Sequence, residues 1–282
     1  MALAPVVFAL NASGLATAQK VAVALGAQLH GREGRVAQAD AFFSNALDHA
    51  RDLFAAGVPI VGVCASGILI RAVAPLLADK STEPPVVSVS DDGAVVVPLL
   101  GGHHGANRLA RDIALALGGT AAVTTAGDVS LGISLDEPPL GWALVNRLDA
   151  KDAMATLLAG GGATVSGKER ASADWLLDLP AGDAVRLSCT IEPQTDLGPN
   201  HLQFAPQRVT VGVGCSRNCP SEELADLVRS ALLNVGVCNA AVHSVNTISL
   251  KADEPAILDL AVSLGAPLRL FSAAELEAET PR

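Results

Sequence analysis

The sequence predicts an α/β protein: an N-terminal, mostly parallel open sheet flanked by helices, a small mixed middle region, and a second, smaller α/β unit at the C-terminus. Three observations predict it. Short β-branched apolar runs recur, each followed by a Gly-containing turn and an Ala/Leu-rich amphipathic stretch. The runs are apolar throughout rather than alternating, the pattern of strands buried on both faces. Aromatic residues make up only 3% of the chain, with no Tyr, so packing must proceed through small side chains.

In chain order, the strands expected in residues 1–127 are Val6 to Leu10, Ile60 to Cys64, Val86 to Val89, Val95 to Leu100 and Ala121 to Thr125. Asp91-Asp92-Gly93 separates two of them and is a hairpin signal, so at least one antiparallel pair interrupts the parallel sheet. Residues 128–206 change character, with EPP, LPAGD and DLGPN turns, both tryptophans and a triglycine at Gly160 to Gly162; they read as a linker or small middle domain. Residues 207–282 form the last unit: a strand in RVTVGVGC, a helix from Pro220 onward, a strand around His243 to Leu250, the helix EPAILDLAVSLG and the strand PLRLF.

Composition excludes several functions. The net charge of −10 divides as −1, −6 and −3 over residues 1–126, 127–206 and 207–282, so no segment offers the basic face that nucleic acid needs. The longest uncharged stretch, Ala55 to Ile70, is too short for a bilayer and is broken by Pro59, Gly62, Ser66 and Gly67, which argues against a membrane role. The start MALAPVVFALNASG reads as a strand and turn rather than a signal peptide, so the expected compartment is the cytoplasm. The five cysteines form no framework and are expected to be reduced. Cys215 and Cys219 make a C-x3-C pair without further ligands at zinc spacing, so no metal site is expected.

The sharpest local signal is VVVPLLGGHHGANRLARDIALALGG. A buried strand ends at Leu100, a glycine-rich loop carries His103 and His104, and a helix starts near Ala106. In open α/β sheets ligands bind beyond the carboxyl ends of strands, where helix N-termini offer unpaired NH groups. Gly101, Gly102 and Gly105 would let a ligand approach the backbone, and the Leu109, Ile113 and Leu117 stripe would leave Asn107 and the histidines facing a cleft. The competing reading is a tight turn whose histidines merely cap the helix or sit in water. Two loops of similar form would join the same rim: Thr124-Thr125-Ala126-Gly127-Asp128, supplying hydroxyls and a carboxylate, and Ala65-Ser66-Gly67 followed by Arg71, which could grip a carboxylate bidentately. Structural roles compete here also: turn hydroxyls often satisfy local backbone, and Arg71 reads equally as a surface arginine. Asp79-Lys80 and Asp91-Asp92 look like ordinary loop and turn charges, and Asp253 or Glu254 like a helix cap.

Taken together, GILIRAVAPLLADKS, PPVVSVSDDGAVVVPLLGGHHGANRLA and AVTTAGD in the N-terminal part, with VGVGCSRNCPSEEL and SLKADEPAILDLAVSLGAPLRLFSAAEL in the C-terminal part, resemble the cobalt-precorrin-5A hydrolases of cobalamin (vitamin B12) synthesis, the CbiG family. The C-terminal unit also resembles their shorter relative CobE, and residues near 130–205 match only in position and length. The resemblance implies hydrolysis of the δ-lactone of a ring-contracted corrin precursor with release of acetaldehyde. It implies no cofactor of the chain's own, with the substrate either carrying cobalt or being its metal-free counterpart, and association as a homodimer or handover to other enzymes of the route. Such chemistry wants a base for water, donors for an oxyanion and cations for peripheral carboxylates. On that basis His103 is the expected base, His104 or Asn107 its orienting or oxyanion partner, and Arg71 and Lys80 with the Gly101 to Gly105 backbone the carboxylate anchors. A non-catalytic corrin carrier of the CobE kind is the alternative. The resemblance further implies a C-terminal unit that continues beyond Arg282, as in fusions placed ahead of a precorrin-3B methyltransferase.

Overall fold

The computed structural model describes residues 3–80 and 82–279, and for His103 the backbone alone. Cα packing divides the chain between Thr125 and Ala126 into two units.

The first unit runs β1 (Val6–Ala9), α1 (Ala12–Leu25), β2 (Gln28–Arg32), β3 (Ala41–Phe43), α2 (Ala46–Ala55), β4 (Ile60–Val63), α3 (Ser66–Val73), β5 (Val86–Val89), β6 (Val95–Leu100), α4 (Ala106–Leu117) and β7 (Thr120–Ala121). Its sheet has the order β3-β2-β1-β4-β5-β6-β7. The expected strands are present, and the sheet is parallel except between β5 and β6. β1, β4 and β5 are buried on both sides, as their largely apolar runs require, and the one polar side chain among them, Ser88, donates to the Cys64 carbonyl at 2.7 Å. One face packs α1 and α4 over Val7, Val61 and Val87; the other packs α2 and α3 over Phe8, Ile60 and Val86. The hairpin forms where Asp91-Asp92-Gly93 stands. Gly93 takes φ 75°, and the Asp92 carboxylate accepts the Ala94 N–H at 3.0 Å.

β2 and β3 were not among the expected strands. Gln28–Arg32 alternates in burial and carries His, Gly and Arg, so it lacks the apolar run that marks its neighbours. β7 is shorter than the expected Ala121 to Thr125 run, because only Thr120 and Ala121 find partners on β6.

β2 and α2 meet in a histidine pair. His30 Nδ1 lies 3.0 Å from His49 Nε2, and the His49 ring stacks on Phe43 at 4.3 Å. One ring must donate and the other accept, so the pair favours neutral imidazoles. Burial lowers both pKa values below 6.5; the charge of His30 lowers His49 further, while Asp40 and Asp52 oppose the shifts on His30 and His49 respectively. The unfolded chain therefore binds more protons between the depressed folded values and 6.5, and stability falls as pH drops through that window, with no contribution above it. His49→Phe, which keeps the stack and removes the proton site, should flatten the slope of urea-unfolding free energy against pH in that range; an unchanged slope refutes the assignment.

The second unit holds α5 (Ala126–Ser130), β8 (Trp142–Leu144), α6 (Ala150–Leu158), β9 (Ala163–Ser166), β10 (Val185–Cys189), β11 (His201–Pro206), β12 (Val209–Gly212), α7 (Ser221–Asn234), β13 (Val242–Ile248), α8 (Pro255–Ser263), β14 (Leu268–Phe271) and α9 (Ala273–Ala278). The middle region is a packed sheet rather than a linker. Its order is β8-β11-β10-β9, with β9, β10 and β11 parallel and β8 antiparallel. Leu187, Cys189, Leu202 and Phe204 form its core with α6 residues and the two tryptophans. The last strands form a parallel sheet, β12-β13-β14, covered by Leu224, Val228 and Leu232 of α7 and Ile257 and Leu260 of α8. Among the described residues no helix is long and apolar enough to cross a membrane.

Candidate active site at the switch point of the first sheet

The three loops expected to share one rim do not share it. β6 runs antiparallel to β5, with Leu100 opposite Val86, so the turn after β6 emerges where β1, β4 and β5 begin. Ser66 and Gly67 follow Val63 and stand at the other end of those strands. Four residues at 3.3 Å each separate the two ends by about 13 Å. The hairpin itself reverses the polarity of everything that follows it in this sheet.

The histidine turn is built from its glycines. Gly101 takes φ 72° and Gly105 φ 102°, and a Cβ on Gly101 would stand 2.7 Å from the Pro84 carbonyl oxygen. Only glycine meets both demands. Gly102 to His104 form one 3₁₀ turn, the His104 N–H donating to the Gly101 carbonyl at 2.9 Å, and the His104 side chain is exposed. The His103 side chain, the expected base, lies outside the described residues. Asn107 does not face an open cleft: it is 4% exposed, and its Nδ2 donates to Thr125 Oγ1 at 2.9 Å. β7 runs parallel to β6, which brings exposed Thr124 and Thr125 to this same end. The buried face of α4 is Ala106, Ala110, Ile113 and Ala114, with Leu109 and Leu117 half-buried beside it, because the alanines permit the nearer approach.

The other expected anchors are scattered. Lys80 is exposed in the connection into β5. Arg71 folds back on its own helix, donating to the Gly67 carbonyl at 2.9 Å. Asp128 lies in α5, in the second unit.

At the carboxyl ends of the parallel strands lies a crevice of about 630 Å³. Strand order reverses here: β2 and β3 extend the sheet to one side of β1, and β4 and β5 to the other. Such a switch point holds two helix N-termini apart and leaves room between them. Asn11 at the start of α1 and Ala65 and Ser66 at the start of α3 line the crevice, with Arg32 and Arg35 on one flank and Ser90 and Asp91 on the other. Among the described residues neither guanidinium has a hydrogen bond or ion pair. Asp91 Oδ2 accepts the Ser13 hydroxyl at 2.6 Å, and Oδ1 has no hydrogen-bond partner among the described residues. Cys64 at the floor has its thiol pushed up to about 12, first by burial and then by the charge of Asp91, so it is not a thiolate nucleophile. The crevice thus pairs two cations and exposed amides with one oriented carboxylate, an arrangement that can hold an acid-bearing ligand and take a proton from water.

Sequence reasoning missed Asn11, Arg32, Arg35 and Asp91. The first was findable, since Asn11-Ala12-Ser13 after a strand has the same strand-turn-helix form as Ala65-Ser66-Gly67. The arginines depended on recognising β2, and Asp91 on asking which way the hairpin sends the next strand.

In the second unit, Cys215 and Cys219 are free thiols, and among the described residues no group of three or more His, Cys, Asp or Glu is placed to hold a metal. Glu254 is fully buried just before α8. It holds the N-cap position of that helix, but its side chain makes no capping bond; it accepts the Asn218 N–H at 2.8 Å and pairs with Lys251 at 3.3 Å, tying the cysteine turn to the neighbouring strand end.

Comparison with known proteins is consistent along the chain. The family model described as Cobalamin synthesis G N-terminal matches residues 48–128, and the one described as Cobalamin synthesis G C-terminus matches residues 209–282. The cobalt-precorrin-5A hydrolase of Salmonella typhimurium strain LT2 is 29% identical over 296 residues, covering 95% of this chain and 82% of its own. That of Priestia megaterium is 26% identical over 247 residues, covering 79% and 66%. Protein CobE of a Sinorhizobium species is 38% identical over 74 residues, covering 26% and 48%. A solved structure of a cobalamin biosynthesis protein G homolog from Sulfolobus solfataricus aligns over 96% of this chain and 81% of its own, with 16% identity and a TM-score of 0.42. The two matched segments take in more than half of the chain, one at each end of the same family's domain order, and the chain belongs to the CbiG family of cobalamin synthesis.

Proposed function

We propose that this chain hydrolyses the δ-lactone of cobalt-precorrin-5A, or of its metal-free counterpart, with release of acetaldehyde. Membership of the family and the names of its relatives support the reaction. The observation that carries the placement is the switch-point crevice with two guanidiniums lacking partners among the described residues. A corrin precursor bears acetate and propionate side chains, and Arg32 and Arg35 are suited to hold them in charge-assisted pairs. Cobalt, where present, enters with the substrate. In this reading Asp91 Oδ1 takes the proton of the attacking water, and first-turn amides of α1 and α3 receive the developing oxyanion.

The test is acetaldehyde release from the lactone intermediate. Wild type should release it stoichiometrically; binding of the macrocycle without release would instead support a carrier of the CobE kind. Replacing Arg32 or Arg35 by alanine should raise KM about 10- to 100-fold in each case, since a hydrogen bond to a charged group is worth roughly 1.5–3 kcal/mol. His104→Ala, at the opposite end of the sheet, should leave KM and kcat within about twofold if that ranking holds. Catalysis at the histidine turn, which the hydroxyls of Thr124 and Thr125 beside Asn107 would assist, predicts the reverse order of damage.

A further inference from the structure

The middle sheet carries a polar constellation that no function described so far uses. Along β10 and β11 the side chains alternate, Leu187 and Leu202 facing the core and Arg186, Ser188, His201 and Gln203 facing the other way. On that second face Ser188 Oγ lies 2.6 Å from His201 Nε2. His201 Nδ1 meets Asp196 twice, at 3.2 Å from a carboxylate oxygen and 3.2 Å from the carbonyl. Two acceptors at Nδ1 assign the ring proton there, which leaves Nε2 to accept from the serine hydroxyl. Asp196 is itself oriented by Arg186, whose guanidinium donates to its other carboxylate oxygen at 3.0 Å. A nucleophile within hydrogen-bond reach of a base, and a base oriented by a third group, is the geometry of an activated serine.

We propose that Ser188, His201 and Asp196 form a serine nucleophile site acting on carboxylic esters, lactones included. Ser188 Oγ bonds to the carbonyl carbon as its proton passes to His201 Nε2, and the alkoxide leaves with that proton, giving an acyl-serine. Water then attacks the acyl carbon, His201 takes and returns one proton, and a carboxylic acid and free Ser188 result. Asp196 holds the imidazolium that forms in each half. The site is covered at rest: Ser188 is 8% and His201 5% exposed. Residues 191–200 join β10 to β11 and carry Asp196; they are held by paired backbone bonds between Gly198 and His201 and by the Gln203 amide on the Glu192 carbonyl. Substrate reaches Oγ through a local opening that keeps Asp196 on His201, so turnover is gated by a few local hydrogen bonds.

This serine site goes beyond the lactone reading and does not rest on it, because an ester of any origin tests it. The experiment is reaction of the full chain with an alkyl fluorophosphonate, followed by intact mass and peptide mapping. Expected is one phosphonyl adduct per chain on Ser188, with loss of fluoride, absent in Ser188→Ala. His201→Gln, which keeps a hydrogen-bonding side chain, should slow labelling by about 10²–10⁴, and Asp196→Asn should slow it with the fold intact by circular dichroism. No adduct on Ser188 in folded wild type, or a His201→Gln variant labelled at the wild-type rate, overturns the proposal and reduces the three residues to a clasp for the connection between β10 and β11. Because no corrin is present, either result is independent of the acetaldehyde assay.

Discussion

Asp91→Asn is expected to lower kcat for acetaldehyde release by about 10²–10⁴ while leaving KM nearly unchanged, the span that loss of a positioned general base produces. The substitution is close in shape, and the new amide oxygen can still accept the Ser13 hydroxyl that Asp91 Oδ2 accepts at 2.6 Å. The backbone carbonyl keeps its bond from Thr17 as well. What disappears is the second carboxylate oxygen and its capacity to take a proton from water. A parallel rise in KM would mean that Asp91 shapes the pocket rather than performs the chemistry. A kcat within a few-fold of wild type would remove it as the base and return attention to His103 and His104.

The second large effect is on stability. Phe204→Ala should cost about 3–5 kcal/mol, the range for emptying a buried aromatic site. Phe204 is fully buried on β11 and meets the Trp175 ring edge-to-face, with centroids 5.0 Å apart and planes at 89°. Trp175 in turn lies 6.3 Å from Trp142. Both tryptophans of the chain sit in the second unit, so their fluorescence follows the unfolding of that unit alone. Urea titration should show a lower midpoint, with a Leu148→Ala control, 96% exposed in the same unit, changed by no more than about 0.5 kcal/mol. A Phe204→Ala loss below about 1 kcal/mol would show that this core refills the space.

The elements legible in sequence were those with strong local signals. β4, β5 and β6 are short runs dominated by β-branched residues, and α7 and α8 have apolar faces with proline at the start. The Asp91-Asp92-Gly93 turn was legible for the same reason, since its chemistry is contained in three residues. β2 was not, because Arg32, His30 and Gln28 give it the look of a surface loop. Its strand character comes from pairing with β1 on one side and β3 on the other. The candidate site followed suit. Ser66 and Asn11 lie in the crevice as their strand-turn-helix form allows, but Arg32 and Arg35 joined it only through strand order.

Local pattern decided which residues become strands, helices and turns, because those preferences act over a few residues along the chain. Strand order and strand polarity decided which turns meet. They set the histidine turn at one end of the sheet and Ser66 at the other, and brought Ser188, Asp196 and His201 within hydrogen-bond reach across two neighbouring strands. Pairing of this kind is fixed by burial of whole faces between distant segments, and no spacing along the chain encodes it.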